Sequence, residues 1–267
     1  FAAVKNGTIL ILCGDDNQLE SVGYGKVLAD LIDCGKVEVY RLYQIMRQSG
    51  TICENASAIL KGITNIKTDK TFSLSHYSSD KEAVEAMMQN LIYRQSFVLS
   101  PIKNKDVSGV YALNKKIQGS VSDLSYCFSH NKERYHIGDR IIMTQTNYEQ
   151  GYFNGDIGTI SSYCDGIATV IFFDKILTLS RDDFSNMQLA YSITVHKSQG
   201  SEIEDVHIVL PDSCKNMLTR RIVYTAITRA KSHVYIYSVG NAFEYAVKNK
   251  AEHQRQSNLV YRITGDR

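Results

Sequence analysis

LAYSITVHKSQGSEIE, residues Leu189 to Glu204, starts apolar and then turns densely polar through Thr194, His196, Lys197, Ser198 and Gln199. Gly200, Ser201 and Glu202 follow, and the next run, VHIVL at Val206–Leu210, reads as a short buried strand bounded by Pro211. A polar segment is thus expected at the edge of a strand, with one glycine that lets a ligand come close to the backbone. Loops of this kind, held by a rigid sheet, are where binding chemistry is usually found.

Upstream, TILILC at Thr8–Cys13 is a continuous apolar run, expected as a strand buried on both faces of a parallel sheet. It ends at GDDNQL, Gly14–Leu19. In open α/β sheets ligands lie beyond the carboxyl ends of strands, so Asp15, Asp16 and Gln18 stand where a nucleotide would lie. GDD by itself is also a common turn. The pattern continues with a helix over 27–34, a strand over 37–42, a helix over 52–60, a polar loop over 63–80 and a helix over 82–93. A strand over 96–100 then ends at Pro101, and a polar turn leads to a helix over 107–118. Strand, polar turn and helix form a repeated βα unit.

The texture changes near Arg134. Short alternating segments at 159–163, 167–173 and 176–179 are separated by the turn signals Asn154-Gly155 and Asp165-Gly166. They read as a small antiparallel barrel of about 50 residues set between two α/β parts. Beyond Leu210, a helix over 219–228 carries Tyr224 and Arg229 near its C-terminal end, and a strand over 233–238 closes the sheet.

Bulk properties exclude several classes. The chain has 267 residues, 43% hydrophobic and 22% charged, as in ordinary globular proteins. No apolar run reaches the roughly 18 residues of a membrane span, and no basic leader is visible. The first residue is Phe, which hints that the chain continues upstream. The six cysteines form no C-x-x-C pair and follow no zinc or disulfide spacing. They are expected as reduced thiols in a cytoplasmic or nucleoid-associated protein. Net charge is +2, yet residues 215–267 carry ten Lys or Arg against three Asp or Glu. That basic end suits either a phosphate-binding face or a solvated helix face.

Six strings, GDDNQLESVGYG, YQIMRQ, VLSPIKN, GDRIIMTQTNYEQGYFNGDIGTI, AYSITVHKSQGSE and YTAITRAK, occur here in the order and rough spacing of a RecD-like superfamily-1 DNA helicase. The chain resembles that family over nearly its whole length. The resemblance implies a P-loop NTPase fold: α/β RecA-like helicase lobes, each a parallel sheet with flanking helices, and an inserted small Src-homology-3-like β-barrel. It implies that residues 1–50 are the rear of a first lobe, 51–133 and 188–267 a second lobe, and 134–187 the barrel. It implies ATP and Mg2+ between the lobes and single-stranded DNA across their top, with 5′ to 3′ movement. It also implies a larger repair or replication complex and no membrane partner.

The same resemblance assigns roles. Gln18 matches a γ-phosphate sensor, Arg47 an arginine reaching the γ-phosphate, and Arg229 an arginine finger. Gly200 and Glu202 match the nucleotide-facing end of the central motif, and Thr194 and His196 its DNA end. Ser100, Pro101 and Asn104 match a strand-end loop touching the DNA backbone, and Tyr152 and Asn154 lie in the barrel segment that meets the single strand in relatives. The chemistry is consistent with these roles. Phosphoryl transfer is catalysed by positioning and cationic stabilisation, and lysine lacks the planar fork that matches a phosphate. Hydroxyls, imidazole and amides contact phosphates without reading bases.

One departure is plain. The family's phosphate loop, G-x-x-x-x-G-K-[ST], and its acidic magnesium motif are not in these residues, since GYGKV at Gly23–Val27 has neither the spacing nor the Ser or Thr. The resemblance places both upstream of Phe1, in an N-terminal half of the same helicase, so the 267 residues alone are expected not to turn over ATP. A non-catalytic nucleic-acid-binding remnant, an RNA helicase and the helicase part of a conjugative relaxase are the alternatives.

Overall fold

The computed structural model describes residues 4–20, 23, 25–42, 50–93, 96–121, 126–250 and 257–265. Helices α1 (Val27–Asp33) and α2 (Thr51–Leu60) precede strand β1 (Phe72–Tyr77), helix α3 (Asp80–Asn90), strand β2 (Ser96–Ser100) and helix α4 (Val110–Ser120). Strands β3 (Tyr126–His130), β4 (Glu133–His136), β5 (Arg140–Met143), β6 (Ile157–Cys164), β7 (Ile167–Phe172), β8 (Ile176–Leu179) and β9 (Met187–Leu189) follow. The chain then returns through β10 (Ser192–Thr194), β11 (Ile203–Leu210), α5 (Arg220–Ile227), β12 (Ala230–Val239), α6 (Ala242–Lys248) and α7 (Leu259–Thr264).

A five-stranded parallel sheet has the order β1-β12-β11-β2-β10. Its central strand β11 is almost wholly buried, which is why VHIVL reads as an apolar run rather than an alternation. On one face Ile52 and Ile59 of α2, Val223 and Ala226 of α5 and Phe243 and Val247 of α6 pack on Val206, Ile208 and Ile236. On the other, Val84 and Met87 of α3 and Leu113 and Ile117 of α4 pack on Val98, Val209 and Tyr237. Caps set the helix starts: Ser79 Oγ accepts from Glu82 N at the head of α3, and Thr219 Oγ1 accepts from Ile222 N at the head of α5. Arg220 ties the first face together, donating from Nε to Val247 O at 2.7 Å and from Nη1 to Leu60 O at 3.2 Å, so one guanidinium holds carbonyls in the last turns of α6 and α2.

A second sheet, antiparallel, has the order β8-β7-β6-β5-β9, beside the β3-β4 hairpin. The Asp165-Gly166 turn between β6 and β7 has φ of 49° and 84°, the positive pair that a two-residue hairpin needs. Asp139, fully buried, joins the two sheets. It accepts from the Tyr191 hydroxyl at 2.7 Å, from Gln118 Nε2 of α4 at 2.6 Å and from His136 N of the hairpin at 2.8 Å.

Three expected elements differ. Residues 8–13 and 37–42 form no strand, and Ile9 and Ile11 are 86% and 78% exposed. A strand buried on both faces needs neighbours to hydrogen-bond with, and among the described residues none pairs with either run. Conversely, the polar FSLSHY within the expected 63–80 loop is strand β1. It is an edge strand that pairs only with β12 in this sheet and buries little beyond Phe72, so its apolar signal is weak.

His207, on β11, is buried with its ring stacked 4.6 Å from that of Tyr235, and its Nδ1 shares a hydrogen bond with the Tyr237 hydroxyl at 3.1 Å. Burial lowers its pKa to about 4. The unfolded chain therefore takes up a proton near pH 6.5, before the folded one does. Stability is complete above that pH and falls as pH drops toward 4, by about 3 kcal/mol in all. Thermal melts from pH 7 to 4 should show this loss, and His207→Phe should flatten it.

Candidate nucleotide and nucleic-acid site

The loop of residues 15–20 docks on helix α5 by a chain of polar contacts. Leu19 N donates to Thr225 Oγ1 at 2.9 Å, the Tyr224 hydroxyl donates to Asp15 Oδ2 at 3.0 Å, and Arg221 pairs with Glu20 at 3.2 Å. Desolvation, then Asp15, pushes the Tyr224 hydroxyl pKa well up, so it stays a donor. Within this frame Arg229 Nη2 donates to Gln18 Oε1 at 3.0 Å, while Gln18 Nε2 donates to Asp15 Oδ2 at 3.1 Å. Arg229 is 2% exposed and also donates from Nε to Thr225 O and from Nη1 to Ser201 O, both at 3.3 Å. Two residues 211 apart in sequence thus meet directly, and the guanidinium bridges the 15–20 loop to the end of the polar stretch.

That stretch is itself held at its start. Asn114, buried on α4, donates to Leu189 O and Ser192 O and accepts from Ser192 N at 2.8 Å. β10 pairs with β2 through Thr194 and Ser100. The chain then turns: Thr194 Oγ1 accepts from Lys197 N, Thr194 O from Ser198 N, and Gln199 Nε2 donates to Leu19 O. Gly200 has φ +82°, which a side chain rarely adopts. So a single segment runs from the strand ends at Thr194 and Ser100 to the carbonyl that holds Arg229.

The expected site residues fall into groups. Gln18 and Arg229 meet directly, and Gly200 and Glu202 flank them, with Glu202 exposed and 3.9 Å from Lys231. Arg47 lies outside the described residues. His196, Asn104 and Asn154 are exposed. Thr194 is buried, with its hydroxyl turned to the backbone of Lys197. Pro101 is buried, and Ser100 is fully buried with Oγ donating to Ser108 O at 2.8 Å, so it shapes the loop from within. Tyr152 is corrected as a strand contact. It is fully buried, its hydroxyl donates to Asp183 Oδ1 at 2.9 Å and accepts from Asn186, and its ring fills the antiparallel core. The exposed aromatics beside it are Tyr148 and Phe153, their rings 6.0 Å apart. Sequence reading missed Asp139 and Asn114, whose only signal is a polar residue at an otherwise buried helix or turn position.

Among the described residues no group of three or more His, Cys, Asp or Glu could hold a metal ion. Cys13, Cys34, Cys53, Cys164 and Cys214 are free thiols, and no helix among these residues is long and apolar enough to cross a membrane.

Comparison with known proteins meets this geometry. Residues 189–237 match the UvrD-like helicase C-terminal domain, and residues 1–84 match an AAA domain. An ATP-dependent RecD2 DNA helicase of Deinococcus radiodurans is 30% identical over 268 residues, covering 98% of this chain and 37% of that protein. The RecBCD enzyme subunit RecD of Mycolicibacterium smegmatis is 27% identical over 278 residues, covering 93% of this chain and 48% of its own. Over nearly its whole length the chain is homologous to RecD2 and RecD helicases. It spans less than half the length of these two RecD-like relatives. A structure of Bacteroides Pif1 helicase in complex with ADP-AlF3 and single-stranded DNA has a TM-score of 0.51 over 80% of this chain and 54% of that one, at 15% identity. A structure of Pif1 helicases at forked double-stranded DNA has the same TM-score over 83% of this chain and 55% of that one, at 15% identity. The parallel sheet with its flanking helices is therefore a RecA-like lobe of the superfamily-1 helicase fold. The five-stranded antiparallel sheet stands where the inserted barrel is expected.

Proposed function

We propose that this chain is the RecD-like part of an ATP-dependent DNA helicase that moves 5′ to 3′ along single-stranded DNA and unwinds duplex. The observation that carries the reading is the 3.0 Å bond from Arg229 to Gln18, which joins α5 to the 15–20 loop. Arg229 has the donor set for a triphosphate, and its bond to the neutral Gln18 amide is one that a phosphate oxygen, carrying charge, would replace. Arg229 then stabilises the negative charge that spreads over the transferring phosphoryl group, and Gln18, released, positions the attacking water. Because Arg229 also holds Ser201 O, the exchange tugs on the polar stretch that ends at the strand-binding rim. Mg2+, when bound, would supply charge neutralisation at the phosphates; none of the described residues is assigned as its ligand.

Residues 1–50 are assigned to a first lobe, 51–133 and 188–267 to a second, and 134–187 to the barrel. The exposed aliphatic run at 9–12 supports the first assignment, since adjoining bare apolar side chains mark a surface that something covers. The cover we propose is the remainder of the first lobe, with the phosphate loop, which leaves the 267 residues without turnover of their own. His196, Asn104 and Asn154 face the strand. Arg47 is assigned to the γ-phosphate. The protein works in the cytoplasm or at the nucleoid, inside a larger repair or replication complex.

The test is ATP hydrolysis by the intact protein with and without single-stranded DNA. Hydrolysis should rise on adding the strand, and Gln18→Ala should abolish that rise while ATP still binds. Hydrolysis indifferent to DNA, or stimulation by RNA in its place, overturns the reading.

A further inference from the structure

Arg221, Tyr224 and Thr225 of α5 and Arg229 just beyond it, spaced three to four residues apart, turn one side of the helix to the 15–20 loop. The sequence suggests Asp15 as a nucleotide contact, yet its carboxylate is taken up within the protein. Oδ1 accepts from Asn17 N at 2.9 Å, which closes the turn of the loop, and Gln18 N donates to Asp15 O at 3.2 Å. Oδ2 accepts from Gln18 Nε2 at 3.1 Å and from the Tyr224 hydroxyl at 3.0 Å.

These bonds give the Gln18 amide a fixed sense. An ionised carboxylate only accepts and a guanidinium only donates, so Nε2 belongs against Asp15 and Oε1 against Arg229. The flipped amide would set oxygen against oxygen and N–H against N–H. Asp15 is half-buried and needs a hold of its own, which the hydroxyl of Tyr224 supplies. Tyr224 is 9% exposed and packs in the core under α5. Burial, then the charge of Asp15, keeps its hydroxyl protonated and donating.

We infer that Asp15 and Tyr224 are positioning residues for hydrolysis: Tyr224 holds the Asp15 carboxylate, and Asp15 holds the Nε2 end of Gln18, so that the Oε1 end faces the attacking water once Arg229 has passed to the phosphate. The inference rests on the helicase reading and gives a role to two residues that act only through Gln18. Oε1 accepts a hydrogen bond from the water, whereas a flipped amide offers it N–H groups alone. Tyr224 stands on α5 and Asp15 on the loop, so the productive sense of the amide exists only while the two are docked.

The experiment measures ATP hydrolysis by the intact protein with oligothymidine present, for Asp15→Asn, Tyr224→Phe and each of these combined with Gln18→Ala. Asp15→Asn keeps an oxygen for Asn17 N but turns an NH2 group toward Gln18, which forces the amide to flip. It should lower kcat roughly 10²-fold, with KM for ATP changed by less than about twofold. Tyr224→Phe loses only the hydroxyl and should lower kcat about tenfold with the same constant KM. In the Gln18→Ala background, whose residual rate is read in single turnovers, neither change should slow hydrolysis further. A further loss in that background overturns the inference, because the residues then act independently of Gln18. So does a rise in KM that matches the fall in kcat, which would make Asp15 a ground-state contact, and so does an unchanged kcat. Tyr224→Phe keeps the ring in the core and decides the matter even if Asp15→Asn fails to fold. A parent protein whose hydrolysis ignores the strand refutes the helicase reading itself, whereas stimulated hydrolysis untouched in both variants refutes only the positioning role.

Discussion

Arg229→Ala is expected to slow ATP hydrolysis by the intact protein by about 10³–10⁵-fold, with nucleotide affinity reduced much less. On the proposed function Arg229 Nη2, now on Gln18, would pass to a phosphate oxygen, with its gain largest when charge spreads in the transition state. Arg229→Lys should rescue little. Lysine has three donors on one nitrogen and cannot hold Thr225 O, Ser201 O and a phosphate at separate points of a plane. The variant also empties a buried position, so stability must be followed alongside turnover. Loss of those buried hydrogen bonds is expected to cost about 3 kcal/mol. Single-turnover kinetics with titrated ATP separates the effects. If affinity falls as far as the rate, Arg229 is a ground-state contact and the finger role is lost.

Asp139→Ala should be the most damaging change outside the cleft, lowering unfolding free energy by about 3–5 kcal/mol in denaturant titrations. The carboxylate is fully buried and takes hydrogen bonds from Tyr191, Gln118 and the His136 amide. Its removal leaves the buried Tyr191 hydroxyl and the half-buried His136 amide without this acceptor, while Gln118 keeps only Arg134 O, and each lost bond carries a desolvation cost. Tyr191 belongs to the stretch that ends at Arg229, so the loss loosens the seam from which that stretch starts. Asp139→Asn keeps the shape but brings two donors of its own, and should recover only part of the stability. A variant as stable as the parent would mean that the two sheets are held by apolar packing alone.

Much of this arrangement was legible in the residues. The β2–turn–α4 unit, the antiparallel segments with their Asp165-Gly166 turn, and the helix before Arg229 all announce themselves by period and punctuation. The meeting of Gln18 with Arg229 was legible only as motif order, because no periodicity links residues 211 apart. Tyr152 was put forward only by the resemblance of its segment to a strand-contacting barrel, whereas its ring is buried and Asp183 offers its hydroxyl an acceptor. Ser100, matched by the same resemblance to a DNA-contacting loop, gives its hydroxyl to a loop carbonyl. The 8–13 run was read as buried because composition reports what a segment prefers to pair with, not whether that neighbour is at hand.

That bare run has a practical consequence for anyone handling the protein. TILILC is uncharged, aliphatic, free of proline and glycine, and of the length that stacks into cross-β fibrils. Exposed at Ile9 to Leu12, it is a sticky ribbon for chaperones and for other copies of itself, so overproduction of these 267 residues should yield inclusion bodies.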